Sequence, residues 1–295
     1  MKSIICFGEV LWDVLPAGKK LGGAPLNVSL RAQSFGNNSA MISSIGRDII
    51  GEELGQVMKS FGAKLEHIQL SENFPTSEVL VELDEHGTAT YEIKMPCAWD
   101  HITLLGHDIE AVKASDAFIY GSLVARNSTS RETLLALLDH AGYKVFDVNL
   151  RPPFYTPERI INLMKPADFV KFNDEELYEI CEHLGFTENA LEACIEFISQ
   201  QTGTGQICVT LGADGAVLFY QNTYYYNPGY KVKVADTVGA GDSFLGAIIS
   251  QLLNGSQPQN AINFACAVGS IVASKNGANP EVSASEIQAM MATKA

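Results

Sequence analysis

Short apolar or alternating runs and longer stretches of helical period take turns along the 295-residue chain. The runs "SIICFGEV" (3–10), "SAMISSIG" (39–46), "DAFIYGS" (116–122), "YKVFDVN" (143–149), "DFVKFN" (168–173), "QICVTLG" (206–212) and "GAVLFY" (215–220) predict strands. Between them the spacing predicts helices near 26–35, 50–61, 128–141, 174–184, 189–202, 240–253 and 258–274. Such alternation marks an α/β fold in which a mostly parallel central sheet is covered by helices. One block breaks it: "TSEVLVELDEHGTATYEIK" (76–94) alternates apolar and polar residues about "DEHG", the pattern of a hairpin. Together with "LPAGKKLGG" (15–23) it forms either a small extra sheet or an antiparallel edge on the main one, and pattern alone leaves both open. No internal repeat and no Pro/Ser-rich linker divides the chain, so 1–295 is expected to be one domain.

Composition and charge add further constraints. Hydrophobic residues make up 46% and charged residues 18%, which suits a compact soluble fold rather than disorder. Residues 243–274 carry no charge, but the polar break "NGSQPQN" (254–260) predicts two buried helices joined by a turn, not a membrane span. The N-terminal stretch reads as a first strand, because Glu9 and Asp13 interrupt any signal-peptide core. Six scattered cysteines without a C-x-x-C pair suit buried free thiols and a reducing cytoplasm. A net charge of −14 argues against nucleic acid and anionic membranes as partners, so any phosphate must be held by local positive features.

Candidate chemistry clusters beyond the carboxyl ends of strands, where open α/β sheets place ligands. Asp13 follows the first strand, and "GGAPLN" (22–27) runs into a helix with Gly23 in the turn and Asn27 in the first helical turn. A carboxylate and an amide facing one pocket can grip vicinal hydroxyls; an ordinary loop acid beside a capping asparagine fits the same pattern. "DTVGAGDSF" (236–244) hands a glycine turn to an apolar helix. Without Cβ atoms, Gly239 and Gly241 let backbone approach a ligand, and the amides there, Ala240 included, form an anion site with the helix dipole. Asp242 either stabilises that dipole or, beside a transferring phosphoryl group, accepts the proton of an attacking hydroxyl. "FNDEEL" (172–177) carries Asn173 and Glu176, a capping-box variant or a nucleotide contact with a water-mediated Mg²⁺ ligand. "DVNLRPPFY" (147–155) puts Arg151, a paired donor suited to phosphate, past another strand. "VTLGADG" (209–215) is a plain hairpin or a nucleotide shelf. Walker, protein-kinase, dinucleotide, G-x-S-x-G and H-E-x-x-H motifs are absent from the sequence. His67, His86, His101, His107, His140 and His183 show no ligand spacing, which argues against a transition-metal site.

"GGAPLNVSLRAQSFGNNSAMISSIGRDIIG" (22–51) and "DTVGAGDSF" (236–244) resemble the two signature regions of the PfkB or ribokinase-like sugar kinases, and "GEVLWDVLP", "GGAPLN" and "DVNLRPPFY" look most like the bacterial fructokinases of that family. The resemblance implies a ribokinase-like three-layer α/β sandwich with a small β lid from roughly 12–23 and 75–98. It implies an ATP- and Mg²⁺-dependent transfer of phosphate to a sugar hydroxyl, D-fructose to fructose 6-phosphate before 2-keto-3-deoxygluconate, ribose or a nucleoside. A sugar sensor without turnover is the non-enzymatic rival. By position, Asp13, Gly23 and Asn27 would hold sugar hydroxyls, and Gly239, Ala240 and Gly241 the anion. Asp242 would be the base, with Arg151 against the phosphate. Asn173, Thr210, Gly212, Gly215 and Gly241 would border ATP, with Glu176 reaching Mg²⁺ through water. Asp236 and Val238, with main-chain groups around Val272, Lys275 and Gly277, match a loop that binds a monovalent cation such as K⁺ in related kinases. The sequence departs from many relatives at Cys266, where they have an asparagine near the adenine, and from some at Glu281, where they have a serine. An exposed lid sheet would also suit a homodimer.

Overall fold

The computed structural model of the protein describes residues 1–15, 18–83 and 89–293. The first half runs β1 (Ser3–Phe7), β2 (Leu11–Leu15), β3 (Gly18–Gly22), α1 (Ala24–Ser34), β4 (Asn38–Gly46), α2 (Ile49–Ser60), β5 (Ile68–Ser71), β6 (Glu78–Leu83), β7 (Ala89–Ile93), α3 (Gly106–Lys113), β8 (Ala117–Gly121) and α4 (Ser128–Leu138). The second runs β9 (Lys144–Asp147), α5 (Pro157–Met164), β10 (Phe169–Asn173), α6 (Asp174–His183), α7 (Leu191–Thr202), β11 (Gln206–Thr210), β12 (Ala216–Tyr220), β13 (Thr223–Asn227), α8 (Ala240–Leu253), α9 (Pro258–Ala273) and α10 (Ala284–Ala292).

Nine strands form the main sheet in the order β13-β12-β11-β10-β9-β8-β1-β4-β5. Pairing is parallel from β5 to β11, and β12 and β13 close one edge as antiparallel hairpins. Side-chain alternation along the buried strands feeds two cores. Ile5, Phe7, Phe118, Tyr120, Phe146, Val170 and Phe172 pack under α4 to α7. Ile4, Cys6, Ala117, Ile119, Val145 and Phe169 pack under α1, α8 and α9. The uncharged stretch forms α8 and α9, two packed helices, and no helix among the described residues is long and apolar enough to cross a membrane. All six cysteines are buried and free.

The block that broke the alternation belongs to a separate four-stranded sheet, β3-β2-β6-β7, and not to the edge of the main sheet. β2 pairs with β3 antiparallel and with β6 in parallel, and β6 continues into β7 as a hairpin whose turn, "DEHG", lies outside the described residues. Helix ends follow their caps. Asp48 accepts from Gly51 N–H at 2.6 Å to start α2, Thr156 with Pro157 starts α5, and Gly203 stops α7 in the left-handed region at φ 79°. α5 and α10 carry readable caps, Thr156 and Ser283, yet are too short to stand out by period.

β1 sits between β4 and β8, and the chain fills one side of it before crossing to the other. A crevice therefore opens beyond the carboxyl ends of β1, β8, β9 and β10.

Candidate active site

That crevice is a cleft of about 1000 Å³ between the two sheets. The small sheet supplies one wall through Leu11, Asp13, Leu15, Lys20, Leu21, Val79 and Ile93. The main sheet supplies the floor through Glu9, Asn149, Arg151, Lys171, Asn173, Glu176 and Thr210, and the start of α8 closes the far side with Thr237 to Gly239, Gly241 and Asp242.

The mouth of α8 is built by close approach. Gly239 caps the helix at φ 76°, and a Cβ there would lie 2.6 Å from the Cα and carbonyl oxygen of Ala278. The start of α8, with its positive dipole end, borders the cleft through Gly239 and Gly241, and the Ala240 N–H is taken up by the Thr237 carbonyl at 3.2 Å. Asp242 lies in that first turn, half-buried, and its Oδ2 accepts from Asn27 Nδ2 at 2.8 Å. Asn27 is buried on α1, and Asn279 Nδ2 donates to its Oδ1 at 2.6 Å, which fixes the amide with its NH₂ toward Asp242. Asn27 thus orients the acid, a contact that sequence spacing does not reveal.

Beneath Asp242 lies a buried ion pair. Lys171 Nζ donates to Asp147 Oδ1 at 2.9 Å, with side chains 8% and 6% exposed. β10 and β9 pair Lys171 directly with Asp147, and both face the α8 side of the sheet. Burial pulls the Lys171 ammonium down, but the carboxylates of Asp147, Glu176 and Asp242 outweigh it and hold the cation above its ordinary value. Burial, then repulsion from Asp147, pushes Asp242 up to about 6 against the pull of Asn27, Lys171 and Arg151. Asp13 is likewise pushed to about 6 by burial, with Arg151 and Lys20 opposing. Glu9 is 3% exposed, its Oε2 has no hydrogen-bond partner, and burial raises it to about 7. Lys171 and Glu9 escaped the sequence reading. Their available signals were a lysine inside a buried parallel strand and an acid just past the first strand. Asn279 left none.

Asp13, Gly23 and Asn27 all line the cleft. A Cβ at Gly23, where φ is 113°, would sit 2.4 Å from the Glu9 carbonyl oxygen, so glycine is needed where the chain leaves β3 and passes the end of β1, whereas one at Gly22 would meet only side-chain atoms, Asp13 Oδ2 at 2.4 Å among them. Arg151 is exposed to the cleft, its Nη1 on the Leu150 carbonyl at 2.8 Å. Asn173 and Glu176 form a complete capping box at α6. Glu176 Oε1 also accepts from Leu150 N–H at 2.9 Å, so both of its oxygens are engaged and burial raises its carboxyl. Thr210 lines the cleft at the end of β11. Gly212 and Gly215 do not line it: Gly215, at φ 89°, sits where a Cβ would strike the carbonyl of Asn227, so it serves the β11 to β12 turn. Ala240, Val272, Lys275 and Gly277 also stand off the cleft. Asp236 accepts from Val238 and Gly277 N–H at 3.0 and 3.1 Å, with Lys20 Nζ of β3 3.7 Å away.

A crevice at the switch point of a parallel sheet, covered by a second sheet and flanked by a helix N-terminus with an acid in its first turn, can hold a phosphorylated ligand beside a proton acceptor. Residues 2–284 match the pfkB family carbohydrate kinase, and the chain belongs to that family. It is 28% identical to Fructokinase-1 of Oryza sativa subsp. japonica over 95% of this chain and 94% of that one. It is 27% identical to a fructokinase of Salmonella typhimurium over 85% and 84%. Its fold superposes on the crystal structure of Vibrio cholerae fructokinase in its fructose, ADP and calcium ion bound form with a TM-score of 0.83, at 26% identity and 99% of both chains.

Proposed function

We propose that the protein transfers the γ-phosphoryl group of ATP to D-fructose, giving fructose 6-phosphate, with Asp242 as general base. The observation that carries the reading is the placement of Asp242 in the first turn of α8, held by Asn27 and backed by Lys171. An alcohol attacks poorly until its proton has an acceptor, and a carboxylate raised to about 6 is still ionised at neutral pH while being a better proton acceptor than an ordinary aspartate. The amides of Gly239 and Gly241, with Arg151, face the charge that develops on the phosphoryl oxygens, while the Ala240 N–H already donates to the Thr237 carbonyl at 3.2 Å. Asp13 and Glu9 present acceptors for sugar hydroxyls, and Glu9, titrating near 7, can also donate.

The four-stranded sheet acts as a lid that excludes water when sugar binds, supported by the apolar residues it turns to the cleft. Asn173 and Thr210 border the nucleotide. Mg²⁺ fits only through water at Glu176, because both of that residue's oxygens already accept backbone N–H groups; when bound, the ion supplies charge neutralisation on the phosphates. The Asp236 loop fits a monovalent cation less well. Both Asp236 oxygens accept amides, the Val272 carbonyl accepts Lys275 N–H at 2.9 Å, and Lys275 Nζ donates to the Glu281 carbonyl at 2.6 Å.

The likeness to fructokinases over nearly the whole chain favours fructose. ADP release measured with fructose, 2-keto-3-deoxygluconate, ribose and a nucleoside tests it. The highest kcat/KM is expected for fructose. A better rate with any of the others overturns fructose, and sugar binding by calorimetry with no ADP formed from any of them overturns turnover itself.

A further inference from the structure

Away from the cleft, the fold brings together two histidines and an acid that lie forty residues apart in the chain. His67 stands just before the edge strand β5, and His107 and Asp108 lie in the first turn of α3. His67 Nδ1 is 2.6 Å and His107 Nε2 3.3 Å from the same oxygen, Asp108 Oδ1. One ligand atom from each residue falls within 4.8 Å of the other two, and none of the three residues lines the cleft. The Asp108 side chain is only 1% exposed, yet its second oxygen, Oδ2, has no hydrogen-bond partner.

As a hydrogen-bonded cluster this is poorly satisfied. Two imidazoles converge on one carboxylate oxygen while the other is desolvated with nothing to offset the loss. As a ligand set it is nearly formed. Nitrogen and oxygen atoms around a tetrahedral Zn²⁺, each about 2.0–2.2 Å from the metal, stand about 3.3 Å apart, the separation already present between His107 and Asp108, while His67 Nδ1, hydrogen-bonded at 2.6 Å to the same oxygen, has to give up its proton and draw back from that oxygen to join the set. Two imidazoles and one carboxylate suit a borderline transition ion and not Mg²⁺ or Ca²⁺, which take oxygen ligands. His107, with 55% of its side chain exposed, leaves the fourth position open to water and gives the ion a path in from solvent.

We propose that His67, His107 and Asp108 form a Zn²⁺-type site that clips the edge of the main sheet at β5 to α3. Spacing alone does not reveal this juxtaposition, because His67 and His107 meet only through the fold. An edge strand is a natural place for such a clip, since one side of it has no neighbouring strand to hold it. The site does not depend on which sugar the cleft accepts.

Co²⁺ as a spectroscopic stand-in, and Zn²⁺ by calorimetry and thermal melting, test the site on the full chain stripped with chelator. The expected result is one ion per chain at micromolar concentrations, visible absorption bands of four-coordinate Co²⁺, and a melting temperature that rises with Zn²⁺ concentration. His107→Ala changes an exposed side chain and should stay folded, and His67→Gln supplies a second variant. Each should weaken binding about 100-fold or more and abolish the Zn²⁺-dependent rise in melting temperature. Absence of saturable binding to the wild-type chain, or binding retained at full strength in either folded variant, overturns the proposal.

Discussion

Replacing Lys171 with methionine is the most informative structural perturbation, because the lysine holds three acids in one buried region. Its ammonium lies 2.9 Å from Asp147 with both side chains less than a tenth exposed, and Glu176 and Asp242 add to its stabilisation. Methionine keeps the length and apolar stem but leaves Asp147 buried without a counter-charge. Breaking a buried pair by removing one partner costs about 3–5 kcal/mol, whereas replacing both partners with apolar residues is often nearly neutral. Lys171→Met should therefore lose about 3–5 kcal/mol in urea denaturation, and Lys171→Met with Asp147→Leu should recover most of that. The two changes also act on Asp242 in opposite senses. Lys171 lowers its pKa and Asp147 raises it more strongly, so the single variant should shift the acid limb of the pH–rate profile upward and the double variant should bring it back to below its wild-type position. A single variant that loses less than about 1 kcal/mol, the range of exposed ion pairs, would refute the picture of a desolvated pair under α8.

Two further outcomes follow from the same geometry. Because Asp242 must be ionised to take a proton and titrates at about 6, kcat/KM for sugar should be steady above neutrality and fall about tenfold between pH 7 and 5, or more steeply as Asp13 gains its proton over the same range; a flat profile down to pH 5 speaks against the assignment. Gly239→Ala combines left-handed backbone with a Cβ only 2.6 Å from Ala278, so it should cost about 1–2 kcal/mol from φ alone and shift the α8 mouth enough to lower kcat/KM about 100-fold. Gly255→Ala, at φ 83° but with nothing within 4 Å, should lose stability and keep activity, and equal activity in the two variants would remove the role given to the close approach.

Much of the fold was legible because buried parallel strands and long helices write strong periods, and "DTVGAGDSF" carries its own physics of glycine, amide and acid. β5, β13, α3, α5 and α10 were missed, being short or at an edge where packing rather than pattern decides. Pairings across strands were not legible. Lys171 meets Asp147 only through the register of β10 on β9, and Asn27 meets Asp242 across 215 residues. The same limit hid His67 and His107, whose meeting depends on how β5 and α3 lie together. At Gly215 the close approach of the Asn227 carbonyl gives the glycine a role in the return from β11 to β12, whether or not the same turn also borders a nucleotide.

Single-turnover formation of ADP by Asp242→Asn, with fructose and ATP saturating and binding of each followed separately, tests the proton-acceptor role without intermediary. The asparagine keeps the shape and can still pair with Asn27, so sugar and nucleotide should bind nearly as before while the rate falls about 10²–10⁴-fold. A folded Asp242→Asn protein that phosphorylates fructose at close to the wild-type rate would contradict the account.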